Sequence, residues 1–264
     1  MIATIEDALS ALGVTEDTLT PQEKESIDNL GYVVFHDAIP AQKLKELQDG
    51  YDIHKTPFSL KPDDAHTKEQ EGSSPHSNIE YMSPVFDYAY THPKHLTAVY
   101  RILKCRFQLF TIIGRDPHTP GKGAQGIHRD ARRTADRLPV CCQSLWMLDD
   151  FTPDNGPTRI VPGTHFQDDA RWIEGPVGEQ ALGPHPGQIL LQGRAGSIAV
   201  FDSTLLHSAT ANQNGARRRT IYPTFCAHYF TNHFPHEKWI TREMYDRISP
   251  AARFLLNVNQ RPES

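Results

Sequence analysis

Apolar positions change their period along this chain, from helical spacing in its first part to extended runs later. Residues 3–13 read as a short helix. A second helix starts at Thr20-Pro21-Gln22-Glu23, where Thr20 can cap, Pro21 suits the first turn and Glu23 completes a capping box. Gly31 ends it, and the β-branched and aromatic run Tyr32-Val33-Val34-Phe35 reads as a strand. Pro40 opens a third helix with Leu44 and Leu47 on its apolar face. Residues 54–80 form a long stretch rich in Pro, Gly, Ser and charge, read as either a functional lid or a solvated insertion. Residues 84–104 return to helix, with Phe86, Leu96, Val99, Tyr100 and Leu103 as its core positions.

From residue 105 the pattern becomes that of short strands, at 106–113, 139–148, 158–161, 197–201 and 218–225, separated by Gly, Pro, Asn and Asp turns. Strands of this length after a helical beginning predict a mainly β fold, a sandwich or small barrel with helices packed outside it. No internal repeat breaks the chain, so a single domain is expected. Its parts are a helical portion over about 1–104, a β core over about 105–226 and a C-terminal lid or helix over about 227–264.

Composition narrows the class. Of 264 residues, 38% are hydrophobic and 22% charged, enough for a sizeable core. The net charge of −5 gives no global reason to expect nucleic acid or an anionic membrane as partner. No run of apolar residues is long enough to span a bilayer. Residues 1–7 lack a basic start and a sustained apolar run, so no export signal and a cytoplasmic location are expected. The four cysteines form no Cys-x-x-Cys pair and are read as reduced thiols.

The candidate chemistry centres on Gln125-Gly126-Ile127-His128-Arg129-Asp130. Among 14 histidines, His128 alone has a carboxylate two residues later. In an extended segment, His128 and Asp130 project from one face. A metal needs a further ligand, for which His207 is the candidate. Two imidazoles and a carboxylate are the donor set of non-haem Fe(II) oxygenases, and zinc accepts the same set. The residues by themselves leave open that all three are ordinary polar side chains at strand ends. Further on, Arg217-Arg218-Arg219-Thr220 alternates across a strand, and one face of that strand must turn inward. A buried arginine needs an anionic partner, and a cosubstrate carboxylate matches its fork; Arg217 and Arg219 are read as a solvated face.

The sequence resembles the phytanoyl-CoA dioxygenase-like branch of the Fe(II)/2-oxoglutarate oxygenases, over about residues 20–225. Its opening helix and strand, Gly126-Ile127-His128-Arg129-Asp130, the run from Trp146 to Asn155-Gly156-Pro157-Thr158, Val161-Pro162-Gly163-Thr164-His165, and Gly196-Ser197 through His207 to Asn212 and Arg218 carry the likeness. The resemblance implies a double-stranded β-helix, or jelly-roll, core. It implies Fe(II) held by His128, Asp130 and His207, and 2-oxoglutarate held through Arg218. Trp146, Gln108 and Thr158 would add cosubstrate contacts. Many relatives have Ser where this chain has Ala209, so Ser208 or Thr210 would have to replace that hydroxyl. His165 belongs to a turn and is read as structural.

In related halogenases, Gly or Ala stands where Asp130 is, so the resemblance favours hydroxylation or another C–H oxidation, with O₂ consumed and succinate and CO₂ released. Arg129, Arg132, Arg133 and Arg137 lie near the expected mouth. They are read either as contacts for a small anionic metabolite or as a solvated turn. A free acyl-CoA is not favoured, since nothing resembles an extended cleft for it. A non-oxidative cupin-type metal enzyme or isomerase, and a catalytically silent binding protein, remain as alternatives.

Overall fold

A computed structural model describes residues 2–53, 58–60, 76–131, 133, 134, 136, 138–166 and 182–262. Arg132, Arg137 and most of the expected lid at 54–80 lie outside the described residues.

The N-terminal helices form where their caps predict. Helix α1 (Ile5–Ala11) is capped by Thr4 in a capping box with Asp7, and α2 (Pro21–Leu30) by Thr20 with Glu23. Gly31 then takes a left-handed φ of 80°, and β1 (Tyr32–Phe35) leaves at once. Helix α3 (Ala41–Tyr51) buries Leu47 and Tyr51. The helix expected over 84–104 is instead two, α4 (Asp87–Thr91) and α5 (Pro93–Leu103). The cause is Pro93, which has no N–H to donate and forces His92 into an extended conformation; the His92 ring then accepts from the His95 N–H.

Eight strands make two antiparallel sheets. The others are β2 (Phe107–Arg115), β3 (Cys141–Met147), β4 (Thr158–Val161), β5 (Ile189–Leu190), β6 (Ile198–Asp202), β7 (Leu206–Ala209) and β8 (Thr220–Ala227). The larger sheet has the order β1-β6-β3-β8-β2, the smaller β5-β4-β7. The pattern along the chain anticipates all but β5, which has only two residues, and β7, whose four include His207 and Ser208. In β2 the register shifts between Leu109 and Thr111, a bulge that leaves Phe110 as the extra residue.

Each face of the larger sheet has its own core. Cys142, Trp146, Val200, Ile221 and Phe225 face the helices and pack with Leu96 and Val99 of α5. On the opposite face Leu145, Met147, Ala199 and Phe201 meet Ile160 of the smaller sheet, with Phe151 and Leu205 closing the space. The C-terminal segment joins the helix side. Helices α6 (Arg242–Arg247) and α7 (Pro250–Leu255) bury Met244 and Leu255 there. Phe234 stacks on Trp239 with centroids 5.3 Å apart and meets Tyr81 edge-on. Of the lid or helix expected over 227–264, the structure shows helices, and Tyr229, Phe230, Phe234 and Trp239 do not line the cavity between the sheets.

The described end of the 54–80 stretch is not a solvated loop either. His76 bridges Gly114 at the edge of β2, and residues 76–80 are buried. Glu80 is fully buried; one carboxylate oxygen accepts from the Ile112 N–H at 3.0 Å and the other has no partner among the described residues.

Two stability predictions follow from these contacts. A Cβ added at Gly31 would lie 2.5 Å from Nδ1 of His165, at a φ that disfavours side chains. Gly31→Ala should therefore cost about 2–4 kcal/mol in chemical denaturation, combining backbone strain with overpacking. Burial raises Glu80 from the ordinary 4.5 to about 8. Between those values the folded chain holds a proton that the unfolded chain has lost, so stability falls as pH rises from about 4.5 to about 8. In Glu80→Gln this part of the slope disappears. The variant should gain on the wild type by up to about 1.4 kcal/mol per pH unit across that window, measured by denaturation at stepped pH.

Candidate active site

The sequence around His128 forms no regular strand, yet it pairs like one. His128 and His207 exchange both backbone hydrogen bonds, each 2.9 Å, and the Asp130 N–H donates to the Ser203 carbonyl at 3.1 Å. A cross-strand pair of this kind brings the two side chains to one face. The turn Val161-Pro162-Gly163-Thr164 supports β7: the Thr164 hydroxyl donates to the Val161 carbonyl at 2.7 Å and accepts the Leu206 N–H at 3.0 Å.

The three predicted ligands converge. Their nearest donor atoms all lie within 4.8 Å of one another. Asp130 places one carboxylate oxygen 3.4 Å from Nε2 of His128 and the other 3.3 Å from Nε2 of His207. Each Nδ1 faces a main-chain carbonyl, Gly126 at 2.8 Å and Leu205 at 2.9 Å. A carbonyl only accepts, so each Nδ1 carries a proton, and each Nε2 is the nitrogen that would give its lone pair to a metal. Burial works against the charge of Asp130, but His207 and His128 overcome it and hold the carboxyl well below the usual range. The hydrogen bond to Asp130 raises His128. Adjacent ligands of an ion bound at about 2.1 Å sit roughly 3 Å apart, so this donor set fits a divalent metal.

A cavity of about 310 Å³ opens from the triad between the two sheets. Arg218 lines it, with Thr158 of β4, Leu145 of β3 and Ala209 of β7. Arg218 is 2% exposed, its guanidinium lies 4.5 Å from the centre of the Phe151 ring, and its Nε and Nη1 have no partner among the described residues. Its neighbours differ. Arg217 pairs with Asp52 and Asp116, and Arg219 with Asp149 and Asp52, at 2.6–2.9 Å. Arg217 is exposed, as expected, and Arg219 half-buried, and the two are ion-paired rather than free. Of the two hydroxyls offered in place of Ala209, Ser208 lines the cavity and accepts from Arg159 Nε at 2.6 Å, whereas Thr210 does not line it and donates to the Pro157 carbonyl at 2.7 Å.

Other expected contacts are corrected. Trp146 lies on the far face of β3, its ring 5.5 Å from those of His92 and His95, because side chains alternate along the strand and Leu145 takes the cavity side. Gln108 shares the cavity-side face of β2 but lies beyond the cavity, opposite Cys226. Arg129 turns away from His128 and Asp130 on either side of it and donates to the carbonyls of Thr164 and Thr204. Arg133 donates to the His165 carbonyl and pairs with Asp202. Both arginines brace the loops behind the site. Arg115, Gln125 and Tyr222 line the cavity instead. His165 is buried against Gly31, as its place in a turn implied. Gln143, which the sequence reading did not single out, donates from Nε2 to Asp130 Oδ2 at 2.8 Å.

The phytanoyl-CoA dioxygenase (PhyH) family profile matches residues 27–220. The chain belongs to that family. Dioxygenase cdmA of Talaromyces verruculosus is 32% identical over 146 residues, 52% of this chain and 46% of that protein. Dioxygenase andF of Emericella variicolor is 30% identical over 147 residues, 52% and 47% of the two chains. The chain thus spans about half the length of the curated relatives it matches. Among solved structures, HygX from Streptomyces hygroscopicus, with nickel and 2-oxoglutarate bound, has 15% identity and a TM-score of 0.63 over 81% of this chain and 89% of its own. The epimerase SnoN from nogalamycin biosynthesis has 17% identity and a TM-score of 0.60 over 83% and 84%. The fold is the double-stranded β-helix that the family resemblance implied. Among the described residues, no helix is long and apolar enough to cross a membrane.

If the triad is a metal centre, His128→Ala and His207→Ala should each abolish Co(II) binding at micromolar metal in titration calorimetry. Their far-UV circular dichroism should stay that of the wild type.

Proposed function

We propose that this protein is an Fe(II)- and 2-oxoglutarate-dependent dioxygenase that oxidises a C–H bond of a small molecule. The observation that carries this reading is Arg218, a desolvated guanidinium with two unpartnered nitrogens, lining the same cavity as the His128, Asp130 and His207 donors. A non-oxidative metal enzyme on a cupin-like barrel has no use for such a group. A fixed cation beside a metal donor set matches a cosubstrate that carries a carboxylate at each end.

In this reading, His128, Asp130 and His207 hold the metal through one face, leaving the rest of its coordination shell to small ligands. Bound there with 2-oxoglutarate, Fe(II) supplies the oxidative decarboxylation of the cosubstrate by O₂ to succinate and CO₂, coupled to oxidation of one substrate C–H bond. Arg218 receives the distal carboxylate of 2-oxoglutarate, and the Phe151 ring keeps the guanidinium away from water. Thr158 offers a hydroxyl on the same wall. Buried Leu145 and half-buried Ile113 line the cavity and exclude solvent from the reacting centre. Arg115, Gln125 and Tyr222 give the remaining wall polar character, suited to a small substrate with an anionic or hydroxylated group. The structural neighbour HygX has been solved with nickel, 2-oxoglutarate and hygromycin B bound.

The test is anaerobic addition of Fe(II) and 2-oxoglutarate to the protein, followed by visible spectroscopy. A weak metal-to-ligand charge-transfer band is expected. In Arg218→Ala, half-saturation of that band should need at least about 30-fold more 2-oxoglutarate, since removing one partner of a buried ion pair costs about 2 kcal/mol or more. Iron binding with no band, or a band indifferent to Arg218, would leave the cupin-type alternative standing.

A further inference from the structure

We propose that Gln143, held by Thr224, is a positioning residue that fixes the orientation of the Asp130 carboxylate toward the metal. This rests on the reading of His128, Asp130 and His207 as a metal centre. Gln143 and Ser144 are the two polar residues of β3, and of these Gln143 faces the cavity. Its side-chain Nε2 donates to Asp130 Oδ2 at 2.8 Å. Its Oε1 accepts from the Thr224 hydroxyl at 2.7 Å, and Thr224 stands directly opposite it on β8. The chain of donors runs one way. A carboxylate only accepts, so the amide nitrogen must face Asp130, which leaves Oε1 to take the Thr224 hydroxyl proton.

Asp130 has few other constraints. Its backbone N–H is tied to the Ser203 carbonyl, but its side chain ends in a terminal torsion that is broad and nearly two-fold. The two carboxylate oxygens already have different surroundings. Oδ1 faces Nε2 of His128 at 3.4 Å, whereas Oδ2 faces Nε2 of His207 at 3.3 Å and also carries the Gln143 bond. That bond occupies one lone pair of Oδ2 and disfavours a grip on the metal through both oxygens. Coordination through Oδ1 is therefore selected, and the position that a second oxygen would take stays available for cosubstrate.

Gln143 and Thr224 come from adjacent strands of the larger sheet, so the orientation of a ligand on an irregular segment is set by the most regular part of the fold. This is how outer-shell partners of metal ligands act: they raise affinity by removing wrong orientations rather than by touching the ion.

The experiment measures Co(II) affinity by competition with a chelator, together with the Co(II) ligand-field spectrum, in Gln143→Leu, Thr224→Val and Thr224→Ser. Gln143→Leu keeps the volume and should weaken Co(II) binding about tenfold or more and alter the spectrum, with far-UV circular dichroism unchanged. Thr224→Val should move both readouts in the same direction by a smaller amount, and Thr224→Ser, which keeps the hydroxyl, should restore them. Unchanged affinity and spectrum in Gln143→Leu would overturn the proposal while leaving the oxygenase reading intact. So would equal effects of Thr224→Val and Thr224→Ser, which would mark a packing role only. If the wild type binds no divalent metal, both readings fall together. If it binds Co(II) but gives no 2-oxoglutarate band, the oxygenase reading fails and the Gln143 test still decides.

Discussion

Two backbone hydrogen bonds exchanged between His128 and His207, each 2.9 Å, fix the geometry on which the rest of the site depends. They join an irregular segment to β7, so that two residues far apart in sequence share one rung. Closing such a long loop is entropically unfavourable, and the two hydrophobic cores on either side of the larger sheet offset it. Around the rung the fold adds bracing rather than further ligands. Arg129, lying between His128 and Asp130 in sequence, points backward to the carbonyls of Thr164 and Thr204, and Thr164 receives the N–H of Leu206. The intervening arginine of the motif is thus a strut for the ligand segment.

Much of the fold was readable from the chain. Caps at Thr20 and Gly31 and the apolar runs of β1, β2, β3, β4, β6 and β8 are local signals, and each appears within a few residues of its expected place. What failed was non-local. β7 has four residues and includes His207 and Ser208, too short and polar to stand out, although it carries a ligand. The 84–104 stretch has helical periodicity throughout, but Pro93 outranks periodicity. The C-terminal segment, expected as a lid or a helix, forms α6 and α7, which cover apolar surface on the helix side.

The site divides the same way. His128, Asp130, His207 and Arg218 were picked out by spacing, strand alternation and family likeness, and the structure brings all four to one cavity. Trp146 and Gln108 were carried across from the resemblance, and the strand register places the first on the wrong face and the second beyond the cavity. Gln143 was overlooked although a lone amide in the run Cys-Cys-Gln-Ser-Leu-Trp-Met is itself a signal that something inside needs a donor. Adjacent residues of β3 answer to different neighbours: Gln143 serves Asp130, while Ser144 hydrogen-bonds His95 of α5 at 2.5 Å. The sheet is the shared wall between a helix-facing core and a chemical one.

Three consecutive arginines, 217 to 219, would ordinarily make this end of the cavity attractive to any anion. The carboxylates of Asp52, Asp116 and Asp149 cancel the outer two, so the uncompensated positive charge is confined to a single buried point. Long-range attraction is thereby traded for selectivity. Ala209 and Thr158 line the same cavity as that charge, so an anion reaches it only from within the space between the two sheets. Because that charge lies in a low-dielectric wall, background electrolyte screens it poorly. Affinity at this point should therefore depend little on ionic strength, unlike that of an open basic patch.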